Sequence, residues 1–204
     1  MAIATETVYD TIGANVARLP EGARAAGYVT GAGDVPWTAE ELKAHPGVVL
    51  IDQTPAGGPW DSGADVDDYE NGAVQLSELA PRARLRAASF KAGTRPGQRH
   101  PAVYASAANL TAVCNALVAG GLTGIGLWVA HWGLPEATAA AMVANASGPF
   151  PVIGVQYDHD AARGVDVSVF SAPWLATVSV KPVQRVATGF TVHFADGTSE
   201  LLAI

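Results

Sequence analysis

The chain is poor in cysteine, in lysine, in charge of either sign and in long apolar runs. Cys114 is its single cysteine, which excludes an internal disulfide. It falls on the apolar face of an expected helix, where a free thiol packs as a small hydrophobe. No run approaches the ~18 apolar residues a membrane span needs. Met1 to Thr7 shows neither the basic nor the apolar region of a secretory signal. The expectation is a chain made in the cytoplasm with no membrane partner, for which any role outside requires another export route. Charged residues make up only 15% against 49% hydrophobic, a balance that excludes disorder. The formal net charge of −7 argues against nucleic acid as a partner. No glycine-rich or lysine-bearing phosphate loop follows any strand, and no Gly-x-Ser-x-Gly elbow occurs. His45, His100, His131, His159 and His193 lie scattered without metal-ligand spacing, so neither a metal nor a cofactor is expected.

What the chain does have is an acidic stretch, Ala64 to Gly72, in which Asp65, Asp67, Asp68 and Glu70 fall close together beside apolar runs. Buried carboxylates without partners are expensive, so such a cluster is either solvated or functional. Along a strand Val66, Asp68 and Glu70 share one face, and Asp65, Asp67 and Tyr69 the other. Carboxylates two residues apart sit roughly 6–7 Å apart, near the separations used to cleave glycosidic bonds. An EF-hand is excluded: counted from Asp61, Val66 and Gly72 fall where that loop needs Gly and Glu. Half of the twelve basic residues lie between Arg82 and Arg99, which reads as the wet face of a helix, with an anionic-polymer contact as the alternative.

A length of 204 residues suits one domain with a sizeable core. Residues 1–24 read as an N-terminal arm, and the first strand as Ala25 to Thr30. Thr38 and Glu41 form a capping box that opens a short helix. The unbroken apolar run Gly47 to Asp52 suits a strand buried on both faces. Helices are expected from about Ser77 to Lys91, after Ser106 and after Pro135, and strands at 101–105, 125–132, 152–157 and 165–170. At least four strand–helix alternations imply an α/β fold with a mainly parallel sheet, closed as a barrel or open and doubly wound. A barrel places its chemistry at the C-terminal ends of its strands, where Asp68, Glu70 and Asp158 fall. From about Ala176 the pattern becomes antiparallel, with a turn signal at Asp196-Gly197. Residues 176–204 therefore read as a β-hairpin appendage that docks onto a second copy or a larger assembly.

The region from Gly27 to Phe170 resembles family 25 glycoside hydrolases, lysozyme-like irregular barrels of bacteriophage and bacterial lysins. The resemblance rests on Asp68-Tyr69-Glu70, Pro101 to Ser106, Leu127 to Trp132, and Gln156-Tyr157 followed by Gly164 to Phe170. It implies an irregular TIM-like (β/α) barrel over residues 25–175 that cleaves β-1,4 bonds in peptidoglycan. It also implies Glu70 as general acid, Asp68 orienting the substrate's acetamido group and Asp166 as a supporting carboxylate. Tyr104, Trp128, Trp132 and Tyr157 would line the sugar cleft, while His131 faces away and packs under a helix. Val29 and Ser168 depart from the pattern, because the family carries an aspartate in its first strand and an asparagine near its last. That departure supports an alternative, a barrel without chemistry that contacts the wall or builds a virion.

Overall fold

The computed structural model describes residues 3–31, 34–55, 57–58, 61, 63–70 and 73–178, together with the backbone of 189–193 and 199–203. Eight strands close a barrel in chain order: β1 Thr5–Thr11, β2 Arg24–Tyr28, β3 Val49–Asp52, β4 Val66–Tyr69, β5 Ala102–Ser106, β6 Gly126–Ala130, β7 Val152–Asp160 and β8 Val165–Ser171. The first seven run parallel, and β8 closes the ring antiparallel to both β7 and β1. Because β8 is reversed, its first residues lie at the rim where the other strands end. Asp166 thereby pairs in register with Asp10.

Residues 1–24 are thus not an arm: Thr5–Thr11 is a barrel strand. Its Thr, Val and Tyr residues suit a pleated surface, but polar residues stand where a buried strand would be apolar, which hides it from a hydrophobic pattern.

Helices follow four of the parallel strands. They are α1 Ala39–Ala44 after β2, α2 Leu76–Ala92 after β4, α3 Leu110–Ala119 after β5 and α4 Glu136–Ala144 after β6. The Thr38/Glu41 capping box at α1 is formed in both directions. Among the described residues β1 is followed only by a 3-10 turn, Gly13–Arg18, and β7 turns directly into β8. The fold is therefore α/β with a closed eight-stranded barrel and helices over part of its circumference. Leu79, Val113 and Leu117 of α2 and α3 pack on Val103 and Val129, while Ala139 and Val143 of α4 pack on Val155 and Val169. Cys114 sits half-buried against the first of these clusters.

The barrel axis is filled by an aromatic column. Trp128 meets Tyr104 and Phe170 edge-on, each at 4.9 Å between ring centroids, and Phe170 stacks on Trp174 at 5.7 Å. Trp174 belongs to the short helix α5 Ala172–Ala176, which plugs the end of the barrel opposite the rim. Gly154 makes room for the column, since a Cβ there would sit 2.7 Å from the Phe170 ring.

After α5, Val178 bridges to Arg99, and two strands, β9 Gly189–His193 and β10 Ser199–Ala203, pair antiparallel as a separate sheet. The expected turn at Asp196-Gly197 and the apolar side chains of this hairpin lie outside the described residues. No helix among the described residues is long and apolar enough to cross a membrane.

Candidate active site

The two faces of β4 divide the acidic stretch as its alternation requires. Asp67 points outward under α2, where Arg86 grips both its oxygens, at 2.9 Å from Nε and 2.7 Å from Nη2. The same Nη2 donates to Asp52 Oδ2 at 2.8 Å, and Nη1 donates to the carbonyls of Asp61 and Ala64. Burial lowers the pKa of Arg86, but Asp67 and Asp52 outweigh that effect and raise it, so the guanidinium is firmly charged. Asp65 is likewise paired with buried Arg99, which also donates to the carbonyls of Gly47, Val48 and Leu175. The basic run is therefore a wet face only in part, at exposed Arg84, Lys91 and Arg95. Arg82, Arg86 and Arg99 are buried, and the latter two are the counter-charges of outward-facing carboxylates.

The inward face carries Asp68 and Glu70 toward the barrel axis. At the rim formed by the strand ends lies an open cavity of about 410 Å³, lined on opposing sides by Glu70 and by Asp10 and Asp166. Two carboxamides each clamp a pair of carboxylates. Gln156 Nε2 donates to Asp10 Oδ2 at 3.1 Å and to Asp166 Oδ2 at 2.8 Å, and its oxygen accepts from the Tyr104 hydroxyl. Gln53 Nε2 donates to Asp34 Oδ2 at 2.9 Å and to Asp68 Oδ2 at 3.0 Å. His159 Nδ1 lies 2.6 Å from Asp166 Oδ1. The other oxygen of Asp68 is buried without a hydrogen-bond partner among the described residues.

Crowding and burial set the protonation of this cluster. Burial, then the charges of Asp166 and Asp68, raise Asp10 well above the usual carboxylate range. Burial, reinforced by Glu70 and Asp34, pushes Asp68 up to about 8. Glu70 is raised by burial and by Asp166 across the cavity. Asp166 is raised by burial, against the pull of His159 and Gln156. Asp68 is therefore neutral at pH 7, and a neutral carboxyl in a low-dielectric site is a hydrogen-bond donor.

No family model, curated protein or solved structure matches this chain.

The cavity gathers some of the expected residues and not others. Glu70, Asp166, Tyr104 and Trp132 line it. Asp68 lies just beneath, 1% exposed and joined to the wall through Gln53. Trp128 does not reach the site: it is 1% exposed in the core, donating to Ser168 Oγ at 3.1 Å. Tyr157 packs outside the barrel with α4 and β8 residues, since odd and even positions of β7 face opposite ways. His131 is exposed, not packed under a helix, because β6 ends one residue before it. Asp158 is exposed as well and accepts from the His159 amide.

Among the lining residues that the sequence did not bring forward are Asp10, Asp34, Gln53, Tyr28 and His159. Asp10 lies in Thr5 to Thr11, whose Thr, Val and Tyr favour a strand that its polar residues conceal, whereas the others stand in turns or near strand ends with no pattern of their own. Among the described residues no group of three His, Cys, Asp or Glu side chains is arranged to hold a metal ion.

Proposed function

We propose that this chain is a glycoside hydrolase of lysozyme-like type, built on an irregular TIM-like (β/α) barrel and acting on β-1,4-linked glycans such as peptidoglycan. The observation that carries the reading is the pairing of Glu70 and Asp166 on one open cavity at the strand ends, with Asp166 raising the pKa of Glu70. A carboxylic acid whose pKa burial and a facing carboxylate raise is what protonation of a glycosidic oxygen requires. Glu70 then delivers the proton. Asp166, held by His159 and Gln156, offsets positive charge developing at the sugar ring. Asp10, which burial drives toward the neutral form, lines the cavity, and Asp68 lies just beneath it. Asp68 orients an acetamido group whose carbonyl serves as the nucleophile. Tyr104 and Trp132 give the sugar an aromatic wall.

The alternative of a barrel without chemistry drew on the absence of a first-strand aspartate at Val29. The first barrel strand is β1, and Asp10 near its end supplies a carboxylate there, which weakens that alternative.

Glu70→Gln is nearly isosteric and removes only the transferable proton. It should cut the release of reducing ends from purified cell walls by at least ~100-fold while leaving circular dichroism unchanged. Equal release by the wild type and the variant assigns the acid wrongly; no release by the wild type from any wall sinks the enzyme reading.

A further inference from the structure

Charge is sorted across the barrel wall. Outside it, the buried carboxylates of β3 and β4 have arginines: Asp52 and Asp67 share Arg86, and Asp65, beside β4, has Arg99. The cavity side has none. Asp10, Asp34, Glu70 and Asp166 line the cavity with Asp68 beneath, and no lysine or arginine stands among its described lining residues. His159 is the one lining group able to carry positive charge, and Asp166 Oδ1 engages it at 2.6 Å. Nearby, Arg163 is tied to Asp160. Arg18 is exposed and off the wall, its Nη1 3.4 Å from where a Cβ on Gly164 would stand.

Protons take the place of counter-charges inside. Asp10, Asp68, Glu70 and Asp166 all hold theirs more tightly than an ordinary carboxyl, first because they are buried. Tyr28 and Tyr104, which face the same cluster from β2 and β5, are also raised by burial and stay neutral. Asp34 stands apart, because no step of the proposed reaction uses it. It is partly buried on the wall beyond β2, where Gln53 Nε2 donates to its Oδ2 at 2.9 Å. Its loop is pinned to the turn after β1 by the bond from the Gly13 amide to the Val35 carbonyl, 2.8 Å long. The charge of Asp34 is among the causes that raise Asp10 and Asp68. It is a negative charge held over the cavity before any ligand arrives.

We propose that this cavity selects its sugar by charge, with Asp34 as the specificity-determining residue: it takes an uncharged N-acetylhexosamine and rejects one that carries a free carboxylate. A carboxylate brought to this wall meets like charges and finds no guanidinium or ammonium among the described lining residues to pair with. This rests on the glycoside hydrolase reading, and its test separates the two. The substrates are two tetrasaccharides of alternating β-1,4-linked N-acetylglucosamine and N-acetylmuramic acid, one with free lactyl carboxylates and one with these converted to methyl amides. At pH 7 the wild type should cleave the amide with a kcat/KM at least ~10-fold above the free acid. One like charge about 8 Å away supplies that much at an effective dielectric constant of about 20. The ratio of the two rates cancels the protonation of the catalytic acid, which serves both sugars alike. It should widen as pH rises and the raised carboxyls ionise, and narrow in about 1 M salt, where charges are screened within about 3 Å. Asp34→Asn keeps an oxygen for Gln53 and should shrink the ratio severalfold. Asp158→Asn removes an exposed carboxylate away from the cavity and should leave it unchanged. Equal cleavage of the two sugars, faster cleavage of the free acid, or a ratio that Asp34→Asn does not move overturns the proposal. Should the wild type cleave neither, calorimetry decides. Tighter binding of the amide, with the difference reduced in Asp34→Asn, upholds the charge selection and refutes the enzyme reading; equal binding or none overturns the proposal too.

Discussion

Replacing Asp68 with asparagine should flatten the fall of stability with pH. Asp68 is 1% exposed; one oxygen accepts from Gln53 at 3.0 Å and the other meets no partner among the described residues. Its pKa rises from 3.8 to about 8, chiefly through burial. A carboxyl whose folded pKa lies above its unfolded value stabilises the fold fully below the unfolded pKa. That contribution is lost as pH climbs through the folded pKa. The window is therefore pH 3.8 to about 8. At about 1.4 kcal/mol per pH unit the span is on the order of 6 kcal/mol. Asparagine keeps the shape and the acceptor for Gln53, and it cannot ionise. The assay is urea unfolding of both proteins across the window, with the difference in unfolding free energy plotted against pH. The other raised carboxyls titrate in both proteins and largely cancel. The two should be close near pH 4, and the variant should gain steadily to become several kcal/mol the more stable near pH 8. A difference that does not change with pH, or one favouring the wild type at the alkaline end, refutes a buried neutral Asp68.

Two further outcomes follow from the same geometry. Arg86→Ala leaves Asp67 and Asp52 buried without their counter-charge and should cost about 3–5 kcal/mol in denaturant unfolding, with Arg86→Met relieved only by double replacement of the two aspartates. Asp166→Asn removes a charge that raises the pKa of Glu70. An acid must be protonated to act, so the alkaline limb of kcat/KM on wall glycan should move to lower pH, and an unmoved limb would detach the two carboxylates.

Local chemistry alone determined much of this protein. Backbone alternation assigned Asp65 and Asp67 to one face of β4 and Asp68 and Glu70 to the other, because side chains on a strand alternate whatever lies around them. Thr38 and Glu41 marked the start of α1, and helical spacing placed α2, α3 and α4 within a few residues, since caps and periodicity act over a single turn. Tertiary structure decided the rest. Thr5–Thr11 is a strand because β8 and β2 supply partners on both sides, which no residue in 1–24 encodes. Arg86 and Arg99 are buried because carboxylates 19 and 34 residues away in the chain meet them, a coincidence that composition cannot express. The antiparallel closure by β8 brings Asp166 opposite Asp10 at the rim where the parallel strands end. The site is assembled from residues far apart in sequence because only ring closure, with its one reversed strand, puts their side chains over the same axis.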